Sequence, residues 1–191
     1  MQNQLLQITS QCSAGCFHCP YGKADTSEID VPIVDEACTS AIVTGGEPFE
    51  TSRLWTFIEK LERAGIMYRV ATGGHVPLMP FIKRLRGTFL CSGVQLGTDV
   101  LLSTRSDGRH CTQWVANVRT LGAFNFPYSI TFTPEAEDDV EELIPYLRFT
   151  LPSFIHLNVE MLRYRPNALE FLEELKNRLS KRGFEVRHDP M

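Results

Sequence analysis

One order repeats along the whole chain: an apolar strand, a glycine-bearing or polar loop, then a segment with helical periodicity. Strands are expected at Gln4–Thr9, Thr39–Val43, Ile66–Ala71, Leu90–Leu96, Pro127–Phe132 and Ile155–Glu160, with a short last one at Phe184–His188. Alternation of this kind requires parallel strands, because each helix carries the chain back to the start of the next strand. The fold class expected is α/β. Six units are too few to close a barrel, which takes eight units and about 250 residues. The expectation is therefore a partial (β/α)6 barrel, open and splayed, formed by residues 1–191 as a single domain.

Helix boundaries follow from local chemistry. Ser52 to Ala64 places Leu54, Phe57, Ile58 and Leu61 on one face, with Ser52 as cap and Gly65 as stop. Pro77–Arg86 is expected to start on its proline, and Gln113–Leu121 to close at Gly122. Pro145 should kink or end the acidic helix near Glu137. The last helix has Asn167 as cap, Glu170 as its capping-box partner and Leu169, Leu172, Leu175 and Leu179 on one face. Its acids come early and its bases late, which suits the helix dipole.

Ligands in open parallel sheets bind beyond the carboxyl ends of the strands. Three loops follow strands directly and should meet there. The first is Gln11-Cys12-Ser13-Ala14-Gly15-Cys16-Phe17-His18-Cys19-Pro20, the second Gly45-Gly46-Glu47-Pro48 and the third Thr72-Gly73-Gly74-His75. The C-x3-C-x2-C spacing lets three thiolates converge on one metal centre, one ligand short of a closed site. Soft thiolates suit iron–sulfur clusters, and an open iron can hold and orient a further ligand.

The cysteine run after the first strand and Gly45-Gly46-Glu47-Pro48 after the second resemble the radical S-adenosylmethionine (SAM) superfamily. The resemblance implies a [4Fe-4S] cluster on Cys12, Cys16 and Cys19, whose fourth iron chelates the amino and carboxylate groups of SAM. It implies one-electron cleavage of SAM to methionine and a 5′-deoxyadenosyl radical, which takes hydrogen from substrate. It also implies an electron donor such as flavodoxin or ferredoxin. Gly45, Gly46, Glu47 and Pro48 correspond to the segment that holds the SAM amino group. His18 takes the place of an aromatic residue beside adenine. Thr72 and Gly73 stand where the family places polar contacts to SAM. Gln95, Thr98 and Asp99 stand where ribose contacts are common.

Within the family, an activase of a glycyl radical enzyme usually carries Asn-Pro soon after the third cysteine, where this chain has Pro20-Tyr21-Gly22. A deazapurine-forming enzyme usually carries Asp-Thr there, and Asp25-Thr26 falls too late. Both remain alternatives, and the substrate is to be sought among peptides, proteins and small molecules. From other classes, a zinc module would recruit His18 or Cys38 as fourth ligand. An electron-transfer iron–sulfur protein would use the cluster alone. The zinc module leaves Gly45-Gly46-Glu47-Pro48 and the alternation unexplained, and 5′-deoxyadenosine formation from SAM would exclude the electron-transfer protein.

Cys38 and Cys91 fall at or in strands, which favours core packing, whereas Cys111 sits in a polar run. That run, Ser103 to Thr112, is expected to be a loop over the barrel mouth, with Arg105–His110 as its tip. Arg163, Tyr164 and Arg165 follow the sixth strand and could face SAM or substrate. A net charge of −4 gives no general attraction to nucleic acid or anionic membrane. No apolar stretch reaches the length of a bilayer span, and the N-terminus has no basic, apolar leader. Together these predict a cytoplasmic, reducing setting, where clustered cysteines bind metal.

Overall fold

A computed structural model describes residues 2–14, 29–98, 108–133, 139–147, 150–158 and 167–188. Seven parallel strands form one sheet in sequential order: β1 (Gln2–Thr9), β2 (Cys38–Gly45), β3 (Met67–Thr72), β4 (Cys91–Gly97), β5 (Tyr128–Phe132), β6 (Ile155–Leu157) and β7 (Val186–His188). β1 and β7 are the two edges, so the sheet is open, as an incomplete barrel requires. The seventh strand is the short C-terminal one. β6 covers Ile155–Leu157, and the Asn158 N–H donates to the Phe132 carbonyl at 2.9 Å; residues 159 and 160 of the expected strand lie outside the described residues.

Strand alternation explains the layering. Leu6, Ile8, Ala41, Val43, Tyr68, Val70, Val94, Leu96, Ile130, Phe132, Ile155 and Leu157 point to one face and are buried beneath the helices. The other, inner face carries Gln7, Arg69, Gln95, Ser129, Thr131, His156 and Arg187, which the strand register places side by side. The sheet thus has an apolar outer side packed under the helices and a more polar inner side left uncovered by them.

The helices are α1 (Arg53–Ala64), α2 (Met79–Leu85), α3 (Gly108–Ala123), α4 (Asp139–Leu147) and α5 (Ala168–Ser180). α1 buries Leu54, Phe57, Ile58 and Leu61 as its periodicity predicts, and stops at Gly65 in the left-handed conformation (φ 71°). Its cap differs from the expectation. Ser52 makes no side-chain cap bond; the Thr51 hydroxyl instead accepts the Arg53 N–H at 3.3 Å. α2 begins at Met79 with Pro80 in its first turn, two residues later than a start on Pro77.

α3 is longer than expected at both ends. The polar stretch Gly108–Thr112 is its first turn rather than the end of a loop, and residues 103–107 lie outside the described region. Gly122 is inside the helix, where a Cβ would collide with the Thr150 side chain. Pro145 lies within α4, which runs two residues beyond it. Asn167 adopts φ 61° and makes no side-chain cap bond, so the capping box with Glu170 does not form. Leu169 is 65% exposed, and Phe171 takes its place in the buried face with Leu172, Leu175 and Leu179. Among the described residues, no helix is long and apolar enough to cross a membrane.

Candidate functional site

The carboxyl ends of β1 and β2 are joined by two short backbone bonds. Gly46 N–H donates to the Thr9 carbonyl at 2.7 Å, and Glu47 N–H donates to the Gln11 carbonyl at 2.6 Å. Only glycine permits this approach. A Cβ on Gly45 or Gly46 would overlap the backbone of residues 9–11, and Gly45 also has φ 132°. The close contact that the glycines permit is thus with the root of the cysteine run. Cys12, the next residue, is partly exposed and is not in a disulfide. Cys16, His18 and Cys19 lie outside the described residues, as do Asp99 and Arg163 to Arg165.

Pro48–Glu50 forms a single 3₁₀ turn capped by Glu47. The Glu47 side chain is fully buried and accepts from Phe49 N–H at 3.2 Å, the Thr72 hydroxyl at 2.7 Å and Gly73 N–H at 3.1 Å. Burial pushes its carboxyl pKa up to about 7. The bonds from Thr72, Phe49 and Gly73 oppose that rise, and nearby Glu50 adds to it. Thr72 in turn accepts from Gly74 N–H at 3.0 Å, so Glu47 and Thr72 together fix the end of β3. These partners bring the second and third predicted loops together.

Two residues that the sequence did not single out as contacts, Glu50 and His75, complete the edge. Glu50 accepts from Ser13 N–H at 3.0 Å and from the Ser13 hydroxyl, which ties the cysteine run to the 3₁₀ turn. The buried ring of His75 lies between two carboxylates, with Nε2 3.3 Å from Glu50 and Nδ1 3.6 Å from Glu47. All three loops are therefore linked through Ser13, Glu50, His75, Glu47 and Thr72. The only advance sign of Glu50 was its spacing of three from Glu47, which suits a tight turn.

The loop after β3 is braced from behind by α3. Asn117 donates to the carbonyls of Gly74 (2.7 Å) and Val76 (2.8 Å) and accepts from Leu78 N–H (2.9 Å). Trp114 is fully buried and donates to the Gly97 carbonyl at 2.8 Å, while a Cβ on Gly74 would lie 2.7 Å from its ring. Gln95 lies on the inner face and donates to the Thr131 hydroxyl. Thr98 is fully buried, and its hydroxyl accepts Thr133 N–H at 3.2 Å, which fixes the β4 exit.

Cys38 is buried, with its thiol against the Ser40 carbonyl at 3.2 Å. Cys91 is partly buried, and burial pushes its thiol pKa up. Neither joins a ligand set: among the described residues, no three of His, Cys, Asp and Glu converge as for a metal ion.

The sequence matches no protein-family model and no curated protein sequence. Solved structures do match. Streptococcus suis SuiB bound to S-adenosylmethionine superposes with a TM-score of 0.74 at 11% identity, over 98% of this chain and 49% of that one. SuiB bound to precursor peptide SuiA gives 0.71 at 10% identity, over 98% and 48%. The fold is shared with SuiB. The chain spans about half the length of these solved structures.

Proposed function

We propose that this chain is a radical SAM domain, with Cys12, Cys16 and Cys19 holding a [4Fe-4S] cluster and SAM lying across the carboxyl edge of β1–β4. The observation that carries this reading is the pair of backbone bonds that starts the cysteine run and Gly45-Gly46-Glu47-Pro48 from one point. A fold shared with a SAM-bound structure supports it. The residues also suit the group. A reduced thiol stands at the β1 exit, on a backbone fixed at Gln11 and Ser13, as a cluster ligand would need to be.

When bound, the cluster would supply one electron to the SAM sulfonium, giving methionine and a 5′-deoxyadenosyl radical that takes a hydrogen atom from substrate. The chain's own residues position and shield. Gly45, Gly46, Glu47 and Pro48 form the seat for the SAM amino group, with Glu47, buried and held by Phe49, Thr72 and Gly73, fixing its shape from beneath. His18 would lie beside adenine, while Gly73, Gln95 and Asp99 would supply polar contacts toward the ribose and methionyl groups. Thr72 and Thr98 act one step back, because their hydroxyls are already engaged with Glu47 and Thr133. An electron donor of the flavodoxin or ferredoxin type reduces the cluster. The substrate lies against the inner face.

Anaerobic reconstitution tests the reading. The wild type should bind about four irons and four sulfides per chain, as one cubane requires. Cys12→Ala, Cys16→Ala and Cys19→Ala should each abolish this, and Cys38→Ala, Cys91→Ala and Cys111→Ala should not. With dithionite and SAM, the loaded protein should form 5′-deoxyadenosine. Iron binding without that product would leave an electron-transfer module instead.

A further inference from the structure

On the inner face, two guanidinium groups share one aromatic ring. Arg69 of β3 lies 5.0 Å from the Phe154 ring centroid and Arg187 of β7 lies 4.0 Å from it, both within cation–π range. Arg69 reaches across β4 to donate to the Ser129 hydroxyl of β5 at 3.2 Å. The strand between them is locally irregular: Tyr68 opposes Cys91 and Val70 opposes Val94, so Arg69 faces Ser92 and Gly93 together. His156 stands in register between Thr131 and Arg187 on the same face.

The charge at this spot is unbalanced. Arg187 pairs with Glu185 at 2.7 Å, but among the described residues no carboxylate pairs with Arg69. Burial and the proximity of Arg187 both lower the Arg69 pKa, which means that both disfavour its charge. A half-buried cation beside a second cation, with a hydroxyl alongside, is stabilised most by a bound anion. The spot is open to one on the Arg187 side, whose side chain is 54% exposed, while Ser129 and Phe154 are buried behind it. The chain as a whole has a net charge of −4, so anion capture here would be a local property and not a general one.

We propose that Arg69, with Arg187 and Ser129, forms a carboxylate-binding site on the inner face, and that it anchors an acidic group of the substrate. The planar guanidinium fork suits a carboxylate. The substrate role rests on the proposed radical SAM reading; the site itself does not. Arg69 precedes Thr72 by three residues, which is about 10 Å along the strand from the carboxyl edge. A substrate held by its carboxylate at Arg69 would therefore present a carbon some way along its chain to the SAM seat. The carboxylate could come from an acidic peptide side chain or from a small dicarboxylic acid.

Binding of fluorescein-labelled hexaglutamate, followed by anisotropy, and competition by glutarate separate these two sources. Binding by either probe that falls roughly tenfold or more in Arg69→Met supports the site, as loss of a charged hydrogen bond predicts. Glu185→Gln should tighten binding about threefold by freeing Arg187, a gain that misfolding cannot mimic. Arg187→Gln should weaken it by a similar factor. Failure of both probes to bind, or affinities equal in wild type, Arg69→Met and Glu185→Gln, would overturn the proposal. SAM titration of the same cluster-loaded samples keeps the two readings apart. Arg69-dependent probe binding without SAM binding would leave the anion site standing and remove the radical SAM function.

Discussion

The carboxyl edge of β1–β3 and the inner face of β3–β7 are built in opposite ways. At the edge, Glu47, Thr72, Glu50, Ser13 and His75 are bonded or paired to one another, and two glycines lock the β1 and β2 exits backbone to backbone. On the inner face, Gln95–Thr131 and Arg69–Ser129 are single side-chain bonds between neighbouring rows. The first region has fixed geometry before any ligand arrives, so it loses little entropy on binding. The second has polar groups that can exchange one partner for another. Under the proposed reading, the fixed edge would seat SAM and the adaptable face would meet the substrate.

Gly46→Ala is the harshest test of the rigid edge. Its Cβ would overlap the Gln11 carbonyl, and both sides of that clash are backbone. Relief requires moving the root of the cysteine run. The variant should lose at least about 3 kcal/mol in urea unfolding, at the upper end of overpacking costs, and should no longer retain a reconstituted cluster. A normal unfolding midpoint with full iron content would show that the edge is not rigid.

The Glu47 carboxyl gives a test that depends on pH. Its folded pKa of about 7 lies above its ordinary value of 4.5, so between these values the folded protein holds a proton that the unfolded chain has released. Stability from this group is full below about pH 4.5, declines as pH rises toward 7 and is flat above. The whole decline amounts to about 3 kcal/mol, because each pH unit between the two values counts for about 1.36 kcal/mol. Urea unfolding of wild type and Glu47→Gln from pH 5 to 8 should show a difference between them that changes with that slope and levels off near pH 7. A difference constant across the range would mean that Glu47 is ionised throughout in the folded protein.

Asn117→Ala attacks the edge from behind. It strands the carbonyls of Gly74 and Val76 and the N–H of Leu78. Water can enter the space left, so the cost should stay near about 2 kcal/mol and not reach the sum of three unmet groups. SAM affinity should fall with it, since Gly73 and Gly74 lose their brace. Unchanged stability would mean that the loop after β3 holds itself.

The contrast also explains what could be read from residue order. The strands were legible because apolar and polar residues alternate: Tyr68, Val70 and Thr72 are buried, while Met67 and Arg69 are not. The meeting of the first three loops followed from strand direction alone. Helix ends were less legible. Thr51 and Ser52 are equally good caps by type, and tertiary geometry selected Thr51. The early start of α3 was hidden because residues 108–112 are polar. Glu50, His75 and Asn117 were missed for another reason. The partners that tie them to the edge lie 25 to 43 positions away, and no local pattern encodes those. Arg69 and Arg187 were invisible as a pair, since only the strand order and Phe154 bring them together.

Gln95→Ala probes the adaptable face and should have the smallest effect. Gln95 is partly exposed and makes one side-chain bond, to Thr131, which is itself partly exposed. Water can replace the lost partner on both sides, so the change in unfolding free energy should stay within about 1 kcal/mol. Cluster content should not change, because nothing at the β1–β2 exit leans on this side chain. SAM affinity decides what Gln95 does. A severalfold loss with unchanged stability would place its amide against the bound nucleoside. No loss would assign it to the substrate face alone, next to Arg69 and Ser129. A stability loss as large as that of Asn117→Ala would erase the difference between the two regions, and the inner face would then be as firmly built as the edge.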